Sequence, residues 1–225
     1  MKRKNENRKK RRRNKLMMDL TQKEWVKHSV THPFEGFEDM RWKKAGSLKT
    51  AFLIVLAFFV GTVLYQRNFG LQFAAVNDKL FNIVPYFIRS VVLFATWVIG
   101  NWAVCTLLDG EGTMKNICIY SAYSLIPYIA MLFIILILSH ILIQDEIVFI
   151  VVIRYIGTGW TALLLFSAIK SVHQYSVGKT IFAILLTIAA MLIMLFLLVL
   201  FMSLIQQVYI FISTIYTEIT YRLRV

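Results

Sequence analysis

Five apolar stretches, Leu48–Tyr65, Val84–Leu108, Ile117–Leu142, Ile147–Ile169 and Thr180–Ile205, succeed one another with only short polar connections between them. Each is long enough to cross a hydrocarbon layer, which takes roughly 17–25 residues at helical rise. Hydrocarbon offers no water to satisfy backbone N–H and C=O groups, so each stretch must close its hydrogen bonds internally as a helix. The expected fold is therefore all-α, a polytopic membrane protein with five transmembrane helices. Composition agrees, because 58% of the 225 residues are hydrophobic, against roughly 45–50% in a soluble domain. The chain divides into a basic tail (1–15), juxtamembrane interfacial helices (16–47), the five-span domain (48–205) and an amphipathic C-terminal helix (206–225).

The formal charge of +13 belongs mostly to the tail. Residues 1–49 carry 16 Lys and Arg against 6 Asp and Glu, a net of +10. The first 15 residues cannot bury a core and read as disordered. Their cluster, with Lys9, Lys10, Arg11, Arg12 and Arg13 at its centre, suits an anionic inner leaflet, worth roughly 1 kcal/mol per cation near the surface. No nucleic acid is expected, since the run has no interleaved aromatics and no folded module behind it. Cations are retained on the cytoplasmic side, which places the N-terminus inside and, after five crossings, the C-terminus outside. Lys170 and Lys179 flank an inner loop without acids, and Asp145 and Glu146 mark an outer one. The first apolar run lacks a cleavage pattern and is expected to remain as a start-transfer span.

Between tail and membrane, Leu16–Val30 carries Leu16, Met17, Leu20 and Trp25 on an imperfect helical stripe, and the Thr31-His32-Pro33 step should end that helix. A second short helix begins at Pro33, with Phe34, Phe37 and Met40 on one face, as suits an interfacial helix. Gly46 breaks it, and Ser47 is placed to cap the first span. At the other end Val208, Ile212, Ile215, Ile219 and Leu223 recur at helical spacing. That segment can continue span five, lie on the surface, or dock on a partner.

The run His32-Pro33-Phe34-Glu35-Gly36-Phe37-Glu38-Asp39-Met40-Arg41-Trp42, ending in Gly46-Ser47, resembles the opening of bacterial members of the Yip family, which carry the Yip-one domain. Gly110-Glu111-Gly112 is similar to that family's turn between spans two and three, and Tyr123 to Tyr128, with Pro127, is similar to the family's third span. Lys170-Ser171-Val172-His173 resembles the end of its fourth span. The likeness covers about residues 31–200. It implies a five-span domain with a cytoplasmic N-terminus, here in a bacterial cytoplasmic membrane, and a non-enzymatic role. Eukaryotic relatives bind small GTPases and coat machinery, but a polybasic tail departs from their N-terminal regions.

Two ionisable residues fall inside the spans, Arg89 and Arg154, and each costs at least ~2.5–3.5 kcal/mol to insert. Both sit near outer span ends, so they either snorkel singly to headgroups or share a site for an anion or lipid phosphate, with Asp78, Asp145 or Glu146 as alternative counter-charges. On the inner half, Asn101, Tyr120, Ser121, Tyr123, Ser124, Tyr128, Lys170 and His173 form a polar cluster. They are either interhelical hydrogen bonds or the lining of a cavity. Gly157, Thr158 and Thr161 read as a close-packing face, and Cys105 and Cys118 as packing thiols.

Enzyme signatures are weak. Gly110 and Gly112 lack the strand and the Gly/Lys spacing of a phosphate loop. His28, His32, His140 and His173 occupy four separate segments, so no metal is expected, nor any cofactor or catalytic residue. The expected function is a non-enzymatic membrane scaffold or accessory protein that associates laterally with itself or a membrane partner such as a transporter, and with anionic lipid. The alternative is a small transporter or channel drawing on the polar residues of spans two to four, although paired broken helices are not evident.

Overall fold

The computed structural model describes residues 20–70 and 82–224. These form seven helices and no strand: α1 (Gln22–Thr31), α2 (Gly36–Trp42), α3 (Leu48–Arg67), α4 (Val84–Leu107), α5 (Met114–Leu138), α6 (Ile147–His173) and α7 (Val177–Arg224). Helices α3 to α7 are each long and apolar enough to cross a membrane. They coincide with the five stretches read from the sequence.

Helix ends obey local chemistry. The backbone N–H and hydroxyl of Thr21 donate to the Glu24 carboxylate at 2.7 and 2.9 Å. These bonds open α1 at Gln22, and they hold the Glu24 carboxyl below its usual range; Leu16 and Met17 of the expected stripe lie outside the described residues. The helix ends at Thr31, one residue before the His-Pro step. Gly46 adopts φ +107°, where an L side chain is strained, and a Cβ there would stand 2.8 Å from Ile119 Cγ2. Ser47 occupies the N-cap of α3, but its hydroxyl does not cap; its backbone N–H donates to Tyr123 Oη instead, at 3.4 Å.

Two spans are irregular. Helix α4 opens with Pro85 in its first turn and winds as a π-helix over Ile88–Val92. Helix α5 breaks at Leu125, because Pro127 has no N–H to return to the Tyr123 carbonyl. Helix α7, by contrast, runs unbroken into the segment after Ile205, since residues 179–224 contain neither Gly nor Pro. The amphipathic C-terminal segment is thus a continuation of span five.

Helix α5 is the centre of the bundle, packed by α3 and α6 along its length, while α7 lies mainly against α4. The main core gathers Tyr123, Ala122, Ile117, Ile119, Leu164 and Ala168 toward one end, called proximal here. Helices α1 and α2 fold over that end. Phe37 and Met40 of α2 are fully buried there with Trp25 of α1, whereas Phe34 and Trp42 stay exposed. The stripe expected to face the interface is therefore divided: two of its residues are covered by protein, each worth about 1.5–3 kcal/mol. Gly36 permits the crossing, because a Cβ on it would lie 2.6 Å from Ser29 Cα. A Trp160 Nε1–H bond to the Val30 carbonyl, 3.2 Å, ties α1 to α6.

A smaller core of Met131, Leu132, Ile135 and Ile150 lies at the opposite, distal end. Here α5 and α6 touch at Gly157, where a Cβ would sit 2.6 Å from Met131 Cβ, whereas a Cβ on Gly159 would meet nothing within 4 Å. Gly157→Ala is therefore expected to lower the thermal midpoint in detergent, costing roughly 1–3 kcal/mol of overpacking. Gly159→Ala should leave it unchanged or raise it through helix propensity, by at most about 1 kcal/mol. A thiol-reactive dye reporting exposure of the buried Cys105 measures both, and equal losses would refute the contact.

Candidate functional site

The residues that carry the family likeness meet at the proximal end. Helix α4 terminates with Asp109 at φ +54°, and the Gly110 N–H donates to the Cys105 carbonyl at 2.7 Å, a six-to-one closure of the helix C-terminus. Helix α6 ends similarly, with Gln174 left-handed and its N–H returned to the Lys170 carbonyl. These two ends bring His173 onto the Gly110-Glu111-Gly112 turn. The Gly112 N–H donates to His173 Nδ1 at 3.3 Å. With Nδ1 accepting, the ring carries its proton on Nε2, 3.1 Å from Asn101 Oδ1. Asn101 Nδ2 donates to Thr187 Oγ1 at 3.2 Å, and that hydroxyl donates to the Ala183 carbonyl at 2.7 Å.

One buried chain of hydrogen bonds thus links the turn, α6, α4 and α7, and every donor and acceptor named in it is used. Neither glycine can carry a side chain. A Cβ on Gly110 would stand 2.4 Å from His173 Nδ1, and one on Gly112 would stand 2.3 Å from Val172 Cγ1. Tyr175 stacks on His173 with ring centroids 5.2 Å apart, and its hydroxyl reaches the Cys105 and Leu108 carbonyls at 3.1 Å each. Burial pushes the Tyr175 phenol well above its usual range, so it remains a donor. Arg41 of α2 closes the arrangement from above, paired with Glu111 and donating to the Ser171 carbonyl at 3.3 Å. The assembly is a clasp, with no nucleophile beside a free base.

The remaining motif residues flank the clasp. His32 caps α1, its ring 4.8 Å from that of His28, which bonds Asp39 at 3.1 Å. Phe34 and Lys170 line a groove of about 260 Å³ between α2 and α6. Gly36, Phe37, Gly46 and Ser47 seat the N-terminal helices, Pro33 lies in the turn between α1 and α2, and Pro127 breaks α5. Of the inner polar residues, Asn101 and His173 are joined directly. Ser121 accepts from Trp97 Nε1 at 3.2 Å, and Ser124 donates back to the Ser121 carbonyl. Tyr128 departs from the expected cluster and faces the other end. Thr187 and Tyr175 carry no motif in the sequence, and Arg41 stands out there only as one member of the motif run. The one local signal is Tyr175 itself, an aromatic in an otherwise polar loop.

The distal end holds a cavity of about 210 Å³ between α3, α4, α5 and α6. Arg89 and Arg154 both line it, with Tyr65, Gln66, Tyr86 and Tyr128. Arg154 Nη2 donates to Tyr65 Oη at 2.7 Å. Of the alternative counter-charges, Asp145 borders an adjoining groove with Arg154, Glu146 accepts from the Ile143 N–H at 3.2 Å, and Asp78 lies outside the described residues. Lys9, Lys10, Arg11, Arg12 and Arg13 also lie outside them. Among the described residues no three His, Cys, Asp or Glu gather to hold a metal ion, and Cys105 and Cys118 are unpaired thiols.

A family model described as the Yip1 domain matches residues 27–216 of the chain. No curated protein and no solved structure matches it. The matched range contains the clasp and the distal cavity.

Asn101→Ala would orphan the His173 Nε2–H and a Thr187 lone pair together. Its expected cost is about 1–3 kcal/mol, above the ~0.6 kcal/mol average for interhelical bonds in membranes. His173→Ala combined with it should cost less than the two losses added. A double-mutant cycle on detergent unfolding reads the coupling, and strict additivity would refute the shared chain.

Proposed function

The chain belongs to the Yip1 domain family, and from that premise we propose that it is a non-enzymatic membrane scaffold or accessory protein. It associates laterally with a second copy or another membrane protein, such as a transporter, and its basic tail holds the anionic inner leaflet of a bacterial cytoplasmic membrane. The proximal end then faces the cytoplasm and α7 ends outside.

The observation that carries this reading is the fate of α7. From Phe196 to Ile219 every residue is exposed, Phe196, Phe201, Tyr209 and Phe211 each by more than 60%. A 48-residue helix is about 72 Å long at 1.5 Å per residue, more than twice the roughly 30 Å hydrocarbon core. Its apolar stripe, Ile205, Val208, Ile212, Ile215 and Ile219, keeps alternating steps of three and four residues, the spacing that packs against another helix. Among the described residues the bundle supplies no such helix. The bonded state of Asn101, Ser121, Ser124 and His173 also favours this reading over a transport path, which would need such groups open to solute.

Ile212→Glu places a charge in the middle of the stripe without touching the bundle. In mild detergent the altered full chain is expected to lose its co-eluting partner, or to fall from a multi-chain particle to a single chain, while melting at the parental temperature. Unchanged mass and unchanged co-eluting proteins, measured by light scattering and mass spectrometry, would remove the support that α7 gives. Solute flux through vesicles containing this chain alone would favour transport instead.

A further inference from the structure

We propose that the distal cavity is a binding site for a phosphate group, offered as the headgroup phosphate of an anionic phospholipid in the leaflet at that end. Two arginines at span ends that merely snorkelled would point outward independently, each relieving its own insertion cost of at least ~2.5–3.5 kcal/mol. Instead Arg89 of α4 and Arg154 of α6 border the same space. Among the described residues no carboxylate lines that space, and neither arginine forms an ion pair. Two positive charges converging on a cavity at the membrane boundary, with no carboxylate among its described lining residues, suit an anion from outside the bundle.

The other lining groups specify which anion. Tyr65 and Tyr128 bring phenolic hydroxyls and Gln66 an amide, groups whose N–H and O–H can donate to phosphate oxygens. The bond from Arg154 to Tyr65 fixes the guanidinium without neutralising it, leaving its other N–H groups for the forked contact that phosphate accepts. Arg89 lies within the π-helical turn Ile88–Val92. One extra residue in a turn rotates the residues before it by about 100° relative to the rest of the helix, and such bulges concentrate at functional sites. A cavity of about 210 Å³ has room for a phosphate group and a few waters but none for acyl chains, which would remain in the leaflet. Both arginines are exposed and so stay within reach of that leaflet.

The test uses the full chain purified in mild detergent and presented with phosphatidylglycerol, with zwitterionic phosphatidylcholine, and separately with inorganic phosphate. Native mass spectrometry counts bound lipid, and the thermal midpoint reports phosphate. The parental chain should retain one phosphatidylglycerol through a wash that strips phosphatidylcholine, and Arg89→Gln and Arg154→Gln should each weaken it at least tenfold. The basic tail is identical in all of them, so a loss confined to these variants reports the cavity. Arg89→Lys and Arg154→Lys should retain binding in part, and Tyr65→Phe should weaken it several-fold; these three stand in if the Gln variants fail to fold. Saturable protection by inorganic phosphate that Arg89→Gln abolishes, with lipid retention unchanged, would assign the site to a free anion and refute the headgroup. Folded variants that keep lipid and show no response to phosphate would overturn the site altogether.

Discussion

His173 is where the membrane domain is tied together, and its geometry depends on two glycines that have no substitute. The imidazole accepts from the backbone of one turn and donates to an amide on a neighbouring span, and that amide in turn engages a hydroxyl on a third. In water such a chain would gain little, because each partner could bond solvent. Buried between spans, each group is costly if orphaned, so the network fixes how α4, α6 and α7 register against one another. The absence of Cβ atoms at Gly110 and Gly112 lets the turn approach the ring closely enough to bond it. That gives a short Gly-x-Gly with no phosphate-loop character a physical role in the family likeness.

The two ends of the bundle solve different problems. At the proximal end α1 and α2 lie over the span termini, Arg41 pairs with Glu111, and Tyr175 covers the last carbonyls of α4, so that charge and backbone are satisfied internally. Among the described residues, the distal end is less closed. Arg89 and Arg154 lack carboxylate partners there among the described residues, helix α4 widens to a π turn, and the apolar core is small. On the proposed reading, the closed clasp lies on the anchored side and the cationic cavity on the side that would receive a ligand.

The spans, their order and their termini are legible because hydrophobicity over some twenty residues is a strong and local signal. The motif residues are legible too, but only as a resemblance, since nothing near His173 in the chain says that it bonds Asn101, 72 residues away. Arg89 and Arg154 stand out by cost, and their similar distance from span ends places them at one depth; the shared cavity is a fact of packing that spacing could not supply. Tyr128 shows the limit. It comes after Tyr120 and Tyr123 closely enough to be grouped with them, yet the break at Leu125 and the helical rise carry it past the core to the distal cavity. Thr187 is invisible for a similar reason, being one hydroxyl in an apolar span whose partner lies on another helix.

Helix α7 connects these observations to the protein's role in its membrane. A helix that satisfies all its backbone bonds is indifferent to whether lipid or protein surrounds it, so its length alone does not demand a partner. The case for one comes from its last twenty residues, where Gln206, Gln207, Thr217 and Glu218 share the helix with a stripe of Ile and Val. Polar residues of that number are poorly tolerated in hydrocarbon, and β-branched stripes of that spacing are poorly tolerated in water. A helix-to-helix contact at or beyond the membrane surface, the contact proposed for α7, accommodates both. The clasp bears on that proposal, because Thr187 bonds α7 to the bundle near its start and thereby sets the direction in which the uncovered stripe is presented.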